Sequence, residues 1–64
     1  MSELHKEIIL TYISCNMNTS KTAKILHLHR NTVTYHLNKV REETGLDPFS
    51  FCDLAKLMKL AEEI

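Results

Sequence analysis

Apolar residues recur along the chain at intervals of three and four, with no stretch of strict alternation, and that spacing predicts helices throughout. Leu4, Ile8, Ile9, Tyr12 and Ile13 share one face of a first helix over about residues 3–14. Ser2 is suited to cap it, and Glu3 lies at the positive end of its dipole. Cys15-Asn16-Met17-Asn18 reads as a loop, because asparagine favours turns and caps. Thr19 or Ser20 caps a second helix running to about Leu26, with Ala23, Leu26 and Ile25 turned inward. His27-Leu28-His29 is a short turn, and Leu28 is placed to plug the corner between two helices. The third helix spans about Arg30 to Thr44, with Val33, Leu37, Val40 and Thr44 as a narrow inward stripe. Gly45 is its left-handed stop.

The last helix opens at Asp47-Pro48, proline suiting a first turn, with Ser50 as the alternative cap, and it ends near Glu63. Its apolar face is wide. Phe51, Leu54, Met58 and Ala61 form one stripe, and Leu57, Leu60 and Ile64 form a second, turned partly away. One stripe suffices to cover a three-helix core. The second is either buried as well, since so small a core needs every apolar side chain, or it meets a partner protomer or a further domain. The fold expected is all-α: four helices with a central helix-turn-helix at about 20–26 and 30–44.

The chain has 64 residues, room for one domain that buries only about 60% of its unfolded surface. A walled substrate cleft of several hundred Å³ is hard to build at that size, which argues against an enzyme. Two cysteines, Cys15 and Cys52, are too few for a disulfide scaffold and fit no common zinc spacing. They read as reduced thiols with at least one in the core. The longest apolar run is Ile8-Ile9-Leu10, and no signal peptide is visible, so the expected location is cytoplasmic, away from membranes.

Formal net charge is zero, but its distribution is uneven. No acid lies between residues 8 and 41, a window that holds Lys21, Lys24, Arg30, Lys39 and Arg41 together with His27, His29 and His36. A basic middle between acidic ends is the footprint expected for a polyanionic partner.

With the Val33/Leu37/Val40/Thr44 stripe inward, a wheel at about 100° per residue puts Asn31, Tyr35 and Asn38 opposite it. Thr34 and Lys39 flank them, Thr32 and His36 lie beyond Lys39, and Arg30 lies beyond Thr34. Asparagine can both donate to and accept from base edges, while Arg30, Thr32 and Lys39 suit phosphate oxygens. Free N–H groups near Asn31 and Thr32 also favour a phosphate. Ser20 and Lys21 join this candidate surface from the second helix, where Lys21 and Lys24 are either phosphate contacts or ordinary solvated residues. Arg30 has an alternative in pairing with an acid of the last helix. A shared zinc site for His29 and His36 is disfavoured, because they stand roughly 10 Å apart along the helix axis. Titration is the better role: a histidine near phosphate gains charge as pH falls, and DNA binding would then strengthen below about pH 6.5.

Residues 12–46 carry the pattern Asn18, Ser20, Thr22, Ala23, Leu26, His29-Arg30-Asn31-Thr32-Val33, Tyr35, Leu37 and Thr44-Gly45-Leu46 without a gap. This resembles the C-terminal helix-turn-helix domain of PucR/CdaR-type regulators, the purine-catabolism and sugar-diacid activators, and its architecture is similar to that of Fis-type modules. The resemblance implies a double-stranded DNA-binding output domain with Arg30, Asn31, Thr32 and Tyr35 at the DNA surface. It also implies sensor domains outside this chain, so that residues 1–64 form one domain excised from the C-terminal part of a larger regulator. The sequence departs from the family in two respects. Thr34 and His36 stand where arginines often flank the tyrosine, and His27 stands where most such turns have glycine. No cofactor or metal is implied. Two function classes stay open: sequence-specific DNA binding by Arg30–Lys39 in the major groove, or a helix-turn-helix fold used for protein interaction, including a homodimer through Leu57, Leu60 and Ile64.

Overall fold

A computed structural model describes residues 2–63. Four helices follow in order: α1 Glu3–Ser14, α2 Thr19–Leu26, α3 Arg30–Thr44 and α4 Phe51–Glu63. The all-α, four-helix architecture with a central helix-turn-helix is thus as the periodicity requires.

Local chemistry explains each boundary. Ser2 Oγ accepts the His5 N–H at 3.1 Å and caps α1. At the other end, Asn16 and Met17 take positive φ, the Asn16 N–H bonds the Ile13 carbonyl, and the Met17 N–H bonds the Tyr12 carbonyl. Those paired bonds are a Schellman closure with asparagine in the left-handed position. The cap of α2 is one residue earlier than expected: Asn18 Oδ1 accepts the Lys21 N–H at 2.9 Å, and Thr19 and Ser20 already lie within the helix. The Thr22 hydroxyl, fully buried, donates to the Asn18 carbonyl at 2.8 Å and so enters the core satisfied.

The α2–α3 turn closes on His27, which takes φ 57° and ψ 39°. The Leu28 N–H reaches the Ala23 carbonyl at 2.8 Å and the His27 N–H reaches that of Lys24 at 3.3 Å. This second Schellman closure drives Leu28 against the core, at the corner expected of it. Gly45, at φ 74°, stops α3 as its composition predicts. Thr44 folds its hydroxyl back onto the Val40 carbonyl at 2.7 Å and receives the Leu46 N–H at 3.2 Å.

The start of α4 follows the alternative reading. Asp47–Ser50 is a turn, held by the Phe49 N–H on Asp47 Oδ1 at 2.9 Å and the Ser50 N–H on the Asp47 carbonyl at 3.0 Å. Pro48 is buried in that turn, outside the helix. Ser50 supplies the first carbonyl of α4, bonded by Leu54 N–H at 2.8 Å, and Asp53 Oδ2 reaches back to the Asp47 N–H at 3.0 Å.

Packing centres on α1, which touches all three other helices; α2 packs on α3, and α4 packs chiefly on α1. The core is Ile8, Ile9, Tyr12, Ala23, Val33, Leu37, Val40, Leu54 and Leu57, with Ile13, Met17, Leu26, Leu28 and Leu46 against it. Three expectations change here. Ile25 points to solvent (53% exposed), because fully buried Thr22 takes the inward place beside Ala23. Phe51 is 76% exposed and Leu57 is fully buried, so the inward stripe of α4 is Leu54, Leu57 and Ala61. Leu57 is therefore unavailable as a dimer contact, Leu60 is partly exposed, and Ile64 lies outside the described residues. His5, an unforeseen core member, is 8% exposed.

Cys15 is buried and Cys52 exposed, both as free thiols. Among the described residues, no helix is long and apolar enough to cross a membrane, and no group of three or more metal-binding side chains is assembled.

Candidate nucleic-acid interface

The buried stripe Val33/Leu37/Val40 fixes the azimuth of α3 and leaves Asn31, Tyr35 and Asn38 exposed on the opposite side. Tyr35 is 57% exposed, so its ring belongs to the surface and not to the core. Lys39 Nζ stands 5.6 Å from the Tyr35 ring centroid and 3.5 Å from Glu42 Oε2. The pairing with Glu42 is solvent-exposed and contributes little to stability, so the ammonium remains recruitable by a phosphate. Thr32 and Thr34 are partly exposed, and the Thr34 hydroxyl is turned back onto the Arg30 carbonyl at 3.2 Å.

The N-terminus of α3 is open. His29 occupies the cap position with extended backbone and makes no side-chain cap bond. Thr32 N–H is not free as expected: it bonds the His29 carbonyl at 2.9 Å. The exposed end at Arg30 and Asn31 keeps the positive pole of the helix dipole facing solvent. Beside it, Ser20, Ala23, Lys24, Leu28, His29 and Arg30 line a shallow depression of about 300 Å³ between α2 and the start of α3. Lys21 is exposed on the first turn of α2. Arg30 is exposed and forms no ion pair with α4 among the described residues.

One candidate sits differently. His36 is partly buried and leans toward α1, where its Nδ1 is 3.1 Å from His5 Nε2. Its ring also meets Tyr35 edge-on, with centroids 5.3 Å apart. The structure therefore brings Asn31, Tyr35, Asn38 and Lys39 onto one face, and groups Ser20 with Arg30 at its upper edge. His36 lies on the flank. His29 joins the depression although it was not a candidate contact, and Lys24 lies there as one of the two lysines of α2 open to a phosphate role. His5 was missed altogether, yet its spacing of three and four from Ile8 and Ile9 and seven from Tyr12 already places it on the buried face.

A short, tightly turned helix pair whose second helix shows an exposed polar face, free of acids from Arg30 to Arg41, defines a helix-turn-helix domain. The chain belongs to the PucR C-terminal helix-turn-helix domain family, which matches residues 6–59. That family is one of transcriptional-regulator domains, non-enzymatic, and membership implies DNA binding. Over 50 residues, 78% of this chain, it is 48% identical to the uncharacterized protein YxkF of Bacillus subtilis (strain 168), covering 16% of that protein. Over 50 residues, again 78% of the chain, it is 38% identical to the carbohydrate diacid regulator of Escherichia coli (strain K12), covering 13% of it. The chain thus spans about a sixth or less of these curated relatives. No solved structure matches it significantly.

Proposed function

We propose that the domain reads duplex DNA sequence-specifically as the output module of a bacterial transcription regulator, with Arg30–Lys39 in the major groove. The observation that carries this reading is the exposed Asn31/Tyr35/Asn38 face of α3 beside an uncapped helix N-terminus. Asn31 and Asn38 present amide groups able to pair with adenine edges, and Tyr35 adds an amphipathic ring between them. Arg30, Lys39, Thr32 and Thr34 serve the sugar-phosphate backbone, as do Ser20 and Lys21 from α2. The acid-free segment from residue 8 to 41 favours approach to phosphate, whereas Glu42 and Glu43 oppose entry of the far end of α3. In this reading the domain works in the cytoplasm, coupled to sensor domains elsewhere in its regulator.

An amide chemical-shift titration of the labelled domain with a mixed-sequence duplex tests this. Shifts clustered at Thr19–Lys24 and Arg30–Lys39 that fade with salt support it. Unmoved resonances there at low salt overturn it.

A separate observation favours association as a second reading. Phe51, Ile13, Leu54, Ala55 and Met58 line an apolar cleft of about 130 Å³ on the outer side of α1 and α4. In place of the Leu57/Leu60/Ile64 stripe, this cleft would carry the contact. Association through it would respond to protein concentration and hardly to salt.

A further inference from the structure

His5 and His36 join α1 to the DNA-facing helix by a contact that depends on how many protons the two rings hold. His5 Nε2 and His36 Nδ1 face each other at 3.1 Å, with ring centroids 5.1 Å apart. His5 is enclosed and His36 is only partly buried. On the far side of the His5 ring, Nδ1 is buried without a hydrogen-bond partner, and Glu43 Oε1 stands 3.7 Å from it.

Of the charged groups on the elements around this pair, Glu43 of α3 is the carboxylate at ion-pair distance. On α1, Glu3 and Lys6 are paired with one another at 2.9 Å. On α3, Lys39 is engaged with Glu42. The lysines of α2 (Lys21, Lys24) and α4 (Lys56, Lys59) are exposed, and among the described residues no carboxylate of α4 reaches the pair.

We propose that His5 is a positioning residue and that the His5–His36 pair is a proton-controlled latch on the recognition helix. The proposal rests on the DNA-binding reading above. The two facing nitrogens can share one proton, with either ring donating to the other. One added proton is also accommodated: doubly protonated His5 donates from Nε2 to His36 and turns its Nδ1–H toward the Glu43 carboxylate. A second added proton places a donor on both facing nitrogens, and the 3.1 Å contact becomes repulsive. His5 is boxed in by the core, so the ring that leaves is His36, which has solvent on one side. Freed and cationic, it lies next to Tyr35, on the flank of the DNA-facing surface, within reach of a phosphate. Acid therefore exchanges a contact between helices for a contact with DNA. The function of His36 here differs from that of a permanently charged side chain at the same place, because its charge is conditional.

The test uses the intact domain labelled with ¹⁵N in its imidazoles, titrated from about pH 8 to pH 5, the range in which histidines ordinarily change charge. His5 and His36 are expected to titrate as a coupled pair in two stages. In His36→Gln, His5 is expected to collapse to one stage. In parallel, affinity for a mixed-sequence duplex is measured against salt at both ends of the range, for the unaltered domain and for His36→Gln. The unaltered domain is expected to gain about two- to fivefold more affinity on acidification than the variant. Its log–log salt slope is expected to steepen by about 0.9 more, the signature of one further phosphate neutralised. Independent single-step titration of His5 and His36 overturns the latch, as does an unchanged pH response of binding in His36→Gln. A domain that ignores DNA at every pH overturns the DNA reading instead, while the imidazole titration still decides the pairing.

Discussion

His27→Gly is expected to stabilise the domain, and the size of the effect follows from the turn. His27 sits at φ 57° and ψ 39°, where an L-residue meets steric conflict between Cβ and backbone. That conflict costs about 1–2 kcal/mol for most residues, toward the low end for histidine. Glycine removes it but has more conformational freedom to lose on folding, about 0.5–1 kcal/mol. The side chain of His27 is exposed, so little packing is lost with it. The backbone bonds of the closure, from His27 and Leu28 N–H, are retained. The net gain is about 0–0.5 kcal/mol, at most about 4 °C in Tm for a domain of this size. Gly45→Ala is the mirror experiment. Gly45 has φ 74° and no atom within 4 Å of where its Cβ would stand, so the whole cost, about 1 kcal/mol, is conformational. Thermal and urea melts followed by circular dichroism measure both. A His27→Gly domain no more stable than the unaltered one, with Gly45→Ala unchanged as well, would refute this account of the two turns.

Three further outcomes are expected. Leu57→Ala removes a fully buried side chain and is expected to cost about 2–5 kcal/mol in urea melts, enough to unfold much of a domain this small, whereas Phe51→Ala stays within about 0.5 kcal/mol. The reverse ranking would mean that α4 is turned the other way. Asn31→Ala is expected to lose about 1–3 kcal/mol of discrimination at one base pair in a selection over operator variants; uniform weakening on all sequences would make Asn31 a phosphate contact. Arg30→Gln is expected to lower the log–log salt slope of DNA binding by about 0.9, and an unaltered slope would remove Arg30 from the phosphate contacts.

Most of the exposed face of α3 was legible because it is the complement of a simple pattern. Once Val33, Leu37 and Val40 are inward, helix geometry leaves Asn31, Tyr35 and Asn38 no other place. His36 departs from that scheme because a flanking position can turn either way, and the neighbour that attracts it, His5, is 31 residues distant. The free Thr32 N–H failed for a local reason: a tight first turn let the His29 carbonyl capture it.

Local chemistry in the sequence by itself determined four helices, their approximate ends, the helix-turn-helix and its left-handed closures at His27 and Gly45. These depend on residues within one or two turns of each other. Tertiary structure alone decided how α4 is rotated, that Leu57 and not Phe51 enters the core, and that Thr22 displaces Ile25. An amphipathic pattern with two adjacent stripes specifies a helix but not which stripe faces in. Only packing against the assembled core, chiefly α1, selects between them. The His5–His36 contact belongs to the same category, since a hydrogen bond between two helices exists only after both have been oriented by packing.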